Sequence, residues 1–361
     1  MSEVADAAAP GCPRKAHGLN CDASRRRKRR QNEVCYFLRN WQHDDRMRYS
    51  LVVQYFLVKA GASACSVARR RSWSFVAVPL EPRTRHETTM RIVVLDCQPL
   101  HQYRPELPRD SFGPCFDLLF SPYVDAGELE LEHVDATSNR PLEPLLSRND
   151  VHAFLVTGSF ASAYDQDDWI LRLSAFLRRV RDAPTKRVPI LGVCFGFQIV
   201  AHAFGGEVIS NPAGLEIGTV GFEPDMKGCT QLFGEDSALS RVPNPIILPY
   251  FHRDTVQRLP LGAISLGSNA HTPCQAFWIP SVALCVQGHP EFAADNDMYT
   301  ALYAFTLRST RAHEPRGGFN PMLPPEQHHH DWIAKLMFDF VRQTSTLTPA
   351  LSDGGTSCKN I

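Results

Sequence analysis

The chain has 361 residues, with 38 Lys and Arg balanced by 38 Asp and Glu, and is 43% hydrophobic and 21% charged. This length holds one large domain with additions, or two domains; the composition is that of a soluble globular chain, and the even charge gives no overall pull toward nucleic acid or a membrane surface. No apolar run approaches the roughly 18 residues a membrane span needs, and the eleven cysteines carry no CxxC or metal-finger spacing, so they read as reduced intracellular thiols rather than a disulfide framework.

Charge is spread unevenly along the chain. Residues 1–89 contain Ser24-Arg-Arg-Arg-Lys-Arg-Arg30 and Ala68-Arg-Arg-Arg-Ser72, with poor periodicity, and are expected to be a disordered extension or the product of a mispredicted start. The basic run reads first as a solvated charge block. Its alternative is a nuclear-localisation signal or nucleic-acid patch, so the expected compartment is the cytoplasm with the nucleus left open. Met90-Arg-Ile-Val-Val-Leu-Asp96 then has the continuous apolar character of a buried first strand in an α/β domain. That domain is expected over residues 90–345, followed by a disordered Ser/Thr/Gly-rich tail at 346–361.

From Met90 onward strands and helices alternate. Strands are predicted at Ile92–Leu95, Leu129–Val134, Ala153–Val156, Val188–Val193, Pro245–Leu248, Ala263–Leu266 and Val282–Val286. Helices are predicted at Phe112–Phe120, Trp169–Arg181, Phe197–Phe204 and Trp332–Gln343. In the second helix Trp169, Ile170, Leu173, Phe176, Leu177 and Val180 share a face, and Asp165-Gln-Asp-Asp168 offers acidic caps. Such alternation implies a mostly parallel central sheet with helices on both faces. Glu207–Ser210 and Glu216–Phe222 read as a small extra β region beside it.

Two motifs carry the chemistry. The apolar run Val188-Pro-Ile-Leu-Gly-Val193 delivers Cys194 to the turn Gly192-Val-Cys-Phe-Gly-Phe-Gln198, and an apolar helix follows. This strand–turn–helix context exposes a nucleophile at the carboxyl end of a parallel strand. A second apolar run, Val282 to Gln287, leads into Gly288-His-Pro-Glu291. In an extended segment residues two apart share a side, so His289 can take the thiol proton while Glu291 holds the imidazole, the nucleophile–base–orienter logic of acyl transfer.

These residues resemble the class I, or Cys-His-Glu, glutamine amidotransferase family, whose elbow reads roughly Gly-[Ile/Val]-Cys-x-Gly-x-Gln and whose second motif reads Gly-His-Pro-Glu. The resemblance implies a flavodoxin-like α/β fold and hydrolysis of a γ-glutamyl amide by Cys194, His289 and Glu291 through a glutamyl thioester, with no metal or organic cofactor. Oxyanion donors are expected at the backbone N–H groups of Phe195 and Gly158, the latter in Val156-Thr-Gly-Ser159. The family's loop there carries two glycines around a proline, and Ser159 and Phe160 take those places here. Gln198 matches the elbow glutamine that touches substrate in the family, and Gln275-Ala276-Phe277 stands loosely where the family reads the substrate's α-amino and α-carboxylate groups.

Phe251-His-Arg-Asp-Thr-Val256 resembles a further family motif, with His252 expected to fix a loop with Asp254 rather than to act as base. His328-His-His330 before Asp331 reads as the polar cap of the last helix instead of a metal cluster, because three adjacent histidines cannot all face one ion. The Thr-Gly-Ser loop with Ala163-Tyr-Asp165 looks like the stand-alone branch of the family, which includes γ-glutamyl peptidases. The expected partner is therefore a small γ-glutamyl substrate. The alternatives are a glutaminase subunit passing ammonia to a separate synthetase or acceptor subunit, and a non-catalytic regulatory member of the fold.

Overall fold

A computed structural model describes residues 89–100, 104, 106–183, 188–233, 242–310 and 322–346. The expectations for the basic N-terminal segment 1–88 and for the tail beyond residue 346 lie outside the described residues.

In chain order the elements are β1 (Met90–Asp96), α1 (Gly113–Leu119), α2 (Ser121–Asp125), β2 (Leu129–Asp135), β3 (Ala153–Val156), α3 (Asp168–Arg181), β4 (Ile190–Val193), α4 (Phe195–Ala203), β5 (Glu207–Ser210) and β6 (Glu216–Pro224). They continue with α5 (Met226–Phe233), β7 (Ile246–His252), β8 (Asp254–Arg258), β9 (Ile264–Ser268), β10 (Ala276–Ile279), β11 (Ala283–Val286), α6 (Pro290–Ala294), α7 (Asn296–Thr310) and α8 (His330–Thr346).

Nine strands form one sheet in the order β2-β1-β3-β4-β11-β10-β9-β6-β7, and β5 pairs with β8 in a separate ribbon. From β2 to β11 every neighbouring pair is parallel. The three central strands β3, β4 and β11 are buried at every position, which is why they read as unbroken apolar runs. Alternate residues of each strand feed opposite layers. Leu155, Leu191, Val193, Leu284 and Val286 pack with Phe116 and Phe120 of the α1 region and Met337 of α8. Phe154, Val156, Ile190, Ala283 and Cys285 pack with Leu173, Phe176 and Leu177 of α3 and Ile199 of α4. The fold is thus a three-layer α/β domain with a parallel centre.

Beyond β11 the sheet continues as an antiparallel wing of β10, β9, β6 and β7. Only Glu207–Ser210 of the two predicted extra segments lies in the side ribbon; Glu216–Phe222 belongs to the main sheet, where it pairs with β7, and β6 runs on to pair with β9 at Glu223 and Pro224. The sequence also concealed β8, β10, α5 and α7. The apolar side chains of α7 face one small cluster, where Met298, Tyr299 and Leu302 are buried, while intervening polar residues blur the helical period. The acidic cap expected for α3 differs too. Asp165 accepts from the Ser162 N–H within the preceding loop, and no side chain caps the helix start.

Parallel pairing aligns the carboxyl ends of the central strands. Val156 lies beside Gly192, and Val193 beside Val286. The chain segments that leave β3, β4 and β11 therefore converge at one edge, the usual position of ligand sites in open α/β sheets.

Candidate active site

Cys194 leaves β4 with φ 54° and ψ −104° before α4 begins at Phe195. A non-glycine residue at positive φ costs on the order of 1–3 kcal/mol and persists only where its surroundings over-determine it. Here the Cys194 N–H donates to Val286 O at 3.0 Å, the Gly196 N–H donates to Thr157 O at 3.1 Å, and the Gln198 N–H returns to Cys194 O at 3.0 Å. The two flanking glycines permit this closeness. A side chain on Gly192 would lie 2.7 Å from the Gly196 carbonyl, and one on Gly196 would strike the Val156 carbonyl. Cys194 is buried, with 4% of its surface exposed, yet it lines an open cleft.

From β11, His289 sits at φ −107° and ψ 85° as the residue before α6, and Glu291 lies in the first turn of that helix. The segment is a turn into a helix and not the extended stretch the motif suggested, but the outcome is the same. His289 Nδ1 meets Glu291 Oε1 at 2.7 Å, with both side chains buried. The ring stacks on Phe292 at 4.4 Å between centroids and meets Phe251 edge-on. Burial disfavours the charged ring, but the Cys194 and Glu291 charges outweigh it and push the His289 pKa up to about 10. His289 Nε2 is buried and makes no hydrogen bond, so the nitrogen remote from Glu291 is the one left for chemistry.

Gly158 closes this group. A Cβ built on it would lie 3.0 Å from His289 Cε1 and 3.7 Å from Cys194 Cβ, so its backbone borders both. Neither the Gly158 nor the Phe195 N–H donates to another described group. The loop after Gly158 is pinned by Gln98, whose Oε1 accepts from the Phe160 N–H at 2.7 Å and the Ser159 hydroxyl at 3.1 Å. The Thr157 hydroxyl in turn accepts from the Cys97 N–H. Gln98 lies far from both motifs in sequence, and nothing in its neighbourhood marked it.

Cys194 and Gln198 lie at a cleft of about 310 Å³. One wall is the loop Ser159–Ser162, a second is the β7–β8 turn Phe251–Asp254, and a third is formed by Phe305, Thr306 and Ser309 of α7. Gln198 is 3% exposed; its Nε2 donates to Asp254 O and to Gln287 Oε1, each at 3.1 Å. Exposed Arg253 is the one cationic side chain apart from His252 on the cleft wall, and no carboxylate among the described residues pairs with it.

Behind the second wall is an ion-pair network in which His252 meets Asp254 as expected and Glu216 is the member that sequence reading missed. His252 Nε2 meets Glu216 Oε2 at 2.7 Å and His252 Nδ1 donates to Asp254 O at 2.9 Å. Glu216 also accepts from Asn269 and Gln275. Burial opposes the Glu216 charge, but these donors hold its carboxyl below the usual carboxylate range. Gln275 is thus committed to Glu216, while Ala276 and Phe277 lie buried in β10, the latter against Phe197. None of the three lines the cleft.

The histidine run also finds partners away from the site. His328 Nε2 meets the Thr219 hydroxyl at 3.1 Å, and His329 exchanges hydrogen bonds with the backbone of Ile247, tying the start of α8 to the antiparallel wing. Among the described residues, no group of three or more His, Cys, Asp or Glu could hold a metal ion, and no helix is long and apolar enough to cross a membrane.

The sequence pattern of the family described as "Glutamine amidotransferase class-I" matches residues 123–308. A Saccharomyces cerevisiae relative of glutamine amidotransferase description is 32% identical over 170 residues, covering 46% of this chain and 63% of that protein, so this chain spans less than two thirds of that relative. Gamma-glutamyl peptidase 4 of Arabidopsis thaliana is 29% identical over 192 residues, covering 53% of this chain and 72% of the relative. A crystal structure of a glutamine amidotransferase from Thermotoga maritima superposes with a TM-score of 0.52 at 18% identity, covering 71% of this chain and 98% of that one, a likeness of fold. With more than half of its residues matched at the family level, and with that architecture, the chain belongs to the class I glutamine amidotransferase family.

Proposed function

We propose that this protein hydrolyses γ-glutamyl amide bonds, with Cys194 as nucleophile, His289 as proton carrier and Glu291 as the group that orients and charges the imidazole. The observation that carries this reading is the backbone-constrained Cys194 beside a buried His289 whose Nδ1 is held by Glu291 at 2.7 Å, leaving Nε2 without a hydrogen bond. Pairs of this kind commonly tighten only once substrate is in place.

The Cys194 thiolate attacks the γ-carbonyl carbon, and the carbonyl oxygen takes the negative charge. The N–H groups of Gly158 and Phe195 receive that oxyanion; a single such donor is worth roughly 3 kcal/mol of barrier in comparable sites. As the C–N bond breaks, His289 Nε2 gives its proton to the departing amine, leaving a glutamyl thioester. Water then loses a proton to the now neutral His289 and attacks the thioester. The C–S bond breaks, glutamate leaves, and thiolate and imidazolium are restored. Every proton is carried by His289, and the sequence of steps uses no cofactor.

The γ-glutamyl group carries an α-amino and an α-carboxylate group. Arg253, exposed on the cleft wall, is a candidate to pair with the carboxylate, and Gln198 lines the same cleft with its Nε2 held by Asp254 O and Gln287 Oε1. The likeness to an Arabidopsis γ-glutamyl peptidase over 72% of that relative supports a peptide or amino-acid amide as substrate. The test is glutamate release by the full chain from glutamine and from γ-glutamyl dipeptides, followed by amino-acid analysis. Release from the dipeptides supports this reading. Release from glutamine alone points instead to an ammonia donor for a separate acceptor subunit, and no release from any compound to a non-catalytic role.

A further inference from the structure

We infer that the leaving-group side of the cleft is an aromatic subsite, formed by Phe160 and Phe305, that selects γ-glutamyl amides whose amine portion carries an apolar side chain. The inference rests on the hydrolytic reading above and specifies its substrate.

The aromatic contacts start at the base. His289 must stand over the departing nitrogen, because it delivers the proton there. Its ring stacks on Phe292, which meets Phe112 at 5.2 Å between centroids; Phe112 meets Phe160 at 5.7 Å, and Phe160 meets Phe305 at 6.2 Å. Phe292 and Phe112 are buried, and Phe160 emerges 51% exposed at the cleft wall. A path of rings therefore runs from the proton donor through the buried Phe292 and Phe112 to Phe160 and Phe305 on the cleft wall. The lining also includes Gln198 of α4 and Arg253 and Asp254 of the β7–β8 turn, suited to the charged end of a γ-glutamyl group. An amide lying across Cys194 with its polar end on those residues places its amine portion along the rings.

Two features make Phe160 more than a stray surface residue. Among the described residues it alone of the exposed large apolar side chains lines the cleft, and its backbone is fixed by Gln98. The second ring is braced from outside, since the Arg104 guanidinium lies 5.0 Å from the centre of Phe305. A half-open pair of rings with fixed supports leaves apolar area that an incoming apolar group would remove from water. Glutamine, which releases only ammonia, would leave this area uncovered.

The experiment compares kcat/KM for γ-Glu-Phe and γ-Glu-Gly in the full chain, in Phe160→Ala and in Phe305→Ala, with Phe305→Leu as an apolar replacement that keeps most of the volume. The unaltered chain is expected to favour γ-Glu-Phe by about tenfold or more, within the range of apolar pocket discrimination. That ratio should fall to within about threefold of one in either Ala variant and recover partly in Phe305→Leu. Thermal melts of each variant accompany the kinetics, and because the readout is a ratio of two substrates, loss of folded enzyme cancels. A ratio near one in the unaltered chain, or a preference that survives both Ala variants, overturns the inference while leaving the hydrolytic reading in place. No turnover of either dipeptide by the unaltered chain overturns both.

Discussion

Glu216 and His252 meet at 2.7 Å with side chains 0% and 1% exposed. The other imidazole nitrogen donates to Asp254 O, the carbonyl that also accepts from the Gln198 amide. A buried ion pair thus shares an acceptor with a side chain on the first turn after Cys194. Desolvation offsets the attraction within such a pair, but removing one partner strands the other. Glu216→Gln should lower stability by about 3–5 kcal/mol, read as a fall in the urea midpoint at neutral pH. It should also lower kcat/KM for γ-glutamyl amides through displacement of Gln198. Stability equal to that of the unaltered chain would contradict the network.

The same carboxylate makes an acid-side prediction. Its folded pKa lies below the ordinary Glu value of about 4.3. A depressed carboxylate contributes stability that is present above the unfolded pKa and is lost as pH falls through the folded one. Melting temperature followed downward from about pH 5 should therefore fall more steeply in the unaltered chain than in Glu216→Gln.

His289 has the opposite sign. Its folded pKa is raised to about 10, against the opposing effect of burial, by Cys194 and Glu291. A raised histidine contributes stability that is full below its unfolded pKa of about 6.5 and is lost as pH rises through the folded value. Cys194→Ala removes one of the two charges that sustain this shift. The variant's imidazole should titrate at lower pH by NMR, and its stability should decline less between about pH 7 and 10. An unchanged His289 titration would mean that the thiol does not face the ring.

The glycines at the site separate structure from chemistry. Gly196→Ala drives a methyl into the Val156 carbonyl in the centre of the sheet edge, and should greatly reduce the yield of folded protein. Gly158→Ala meets His289 Cε1 at 3.0 Å, a tight contact that the ring can relieve by moving a few tenths of an ångström. The protein should fold but lose about tenfold or more in kcat, since small misplacements of catalytic groups carry large costs. Far-UV circular dichroism and steady-state rates on the same preparations distinguish the two cases.

Arg253 gives a test of polarity. As an exposed guanidinium on the cleft wall, it should mainly affect KM. Arg253→Ala is expected to raise KM for γ-glutamyl amides by about tenfold, consistent with roughly 1.5 kcal/mol for a charge-assisted hydrogen bond. Arg253→Lys should retain part of the affinity. An equal fall in kcat with KM unchanged would argue against a substrate contact.

Local signals made the centre of the fold legible and marked the two motifs of the candidate site. The runs at 92–95, 153–156, 190–193 and 283–286 are buried on both faces and so carry no polar interruption, and the two glycines around Cys194 announce a turn no other residue fits. The antiparallel wing was harder to read because β6, β7 and β10 mix buried and partly exposed positions and include Pro224 and Pro249. Gln98, Glu216 and Asn269 were illegible for another reason. Their roles depend on contacts with residues 62, 36 and 53 positions away, and no local pattern distinguishes such a polar residue from a solvated one. The likeness of Gln275-Ala276-Phe277 to a substrate-reading segment likewise could not reveal that the chain there forms the interior strand β10.

The most direct measurement is glutamate release from γ-Glu-Phe by the full chain and by Cys194→Ala, with His289→Ala beside it. The account predicts release by the unaltered chain and a loss of about 10³-fold or more in kcat in each variant, since members of a nucleophile–base unit fail together. Release that survives in Cys194→Ala at a comparable rate would contradict it, because no other described cysteine lines the cleft.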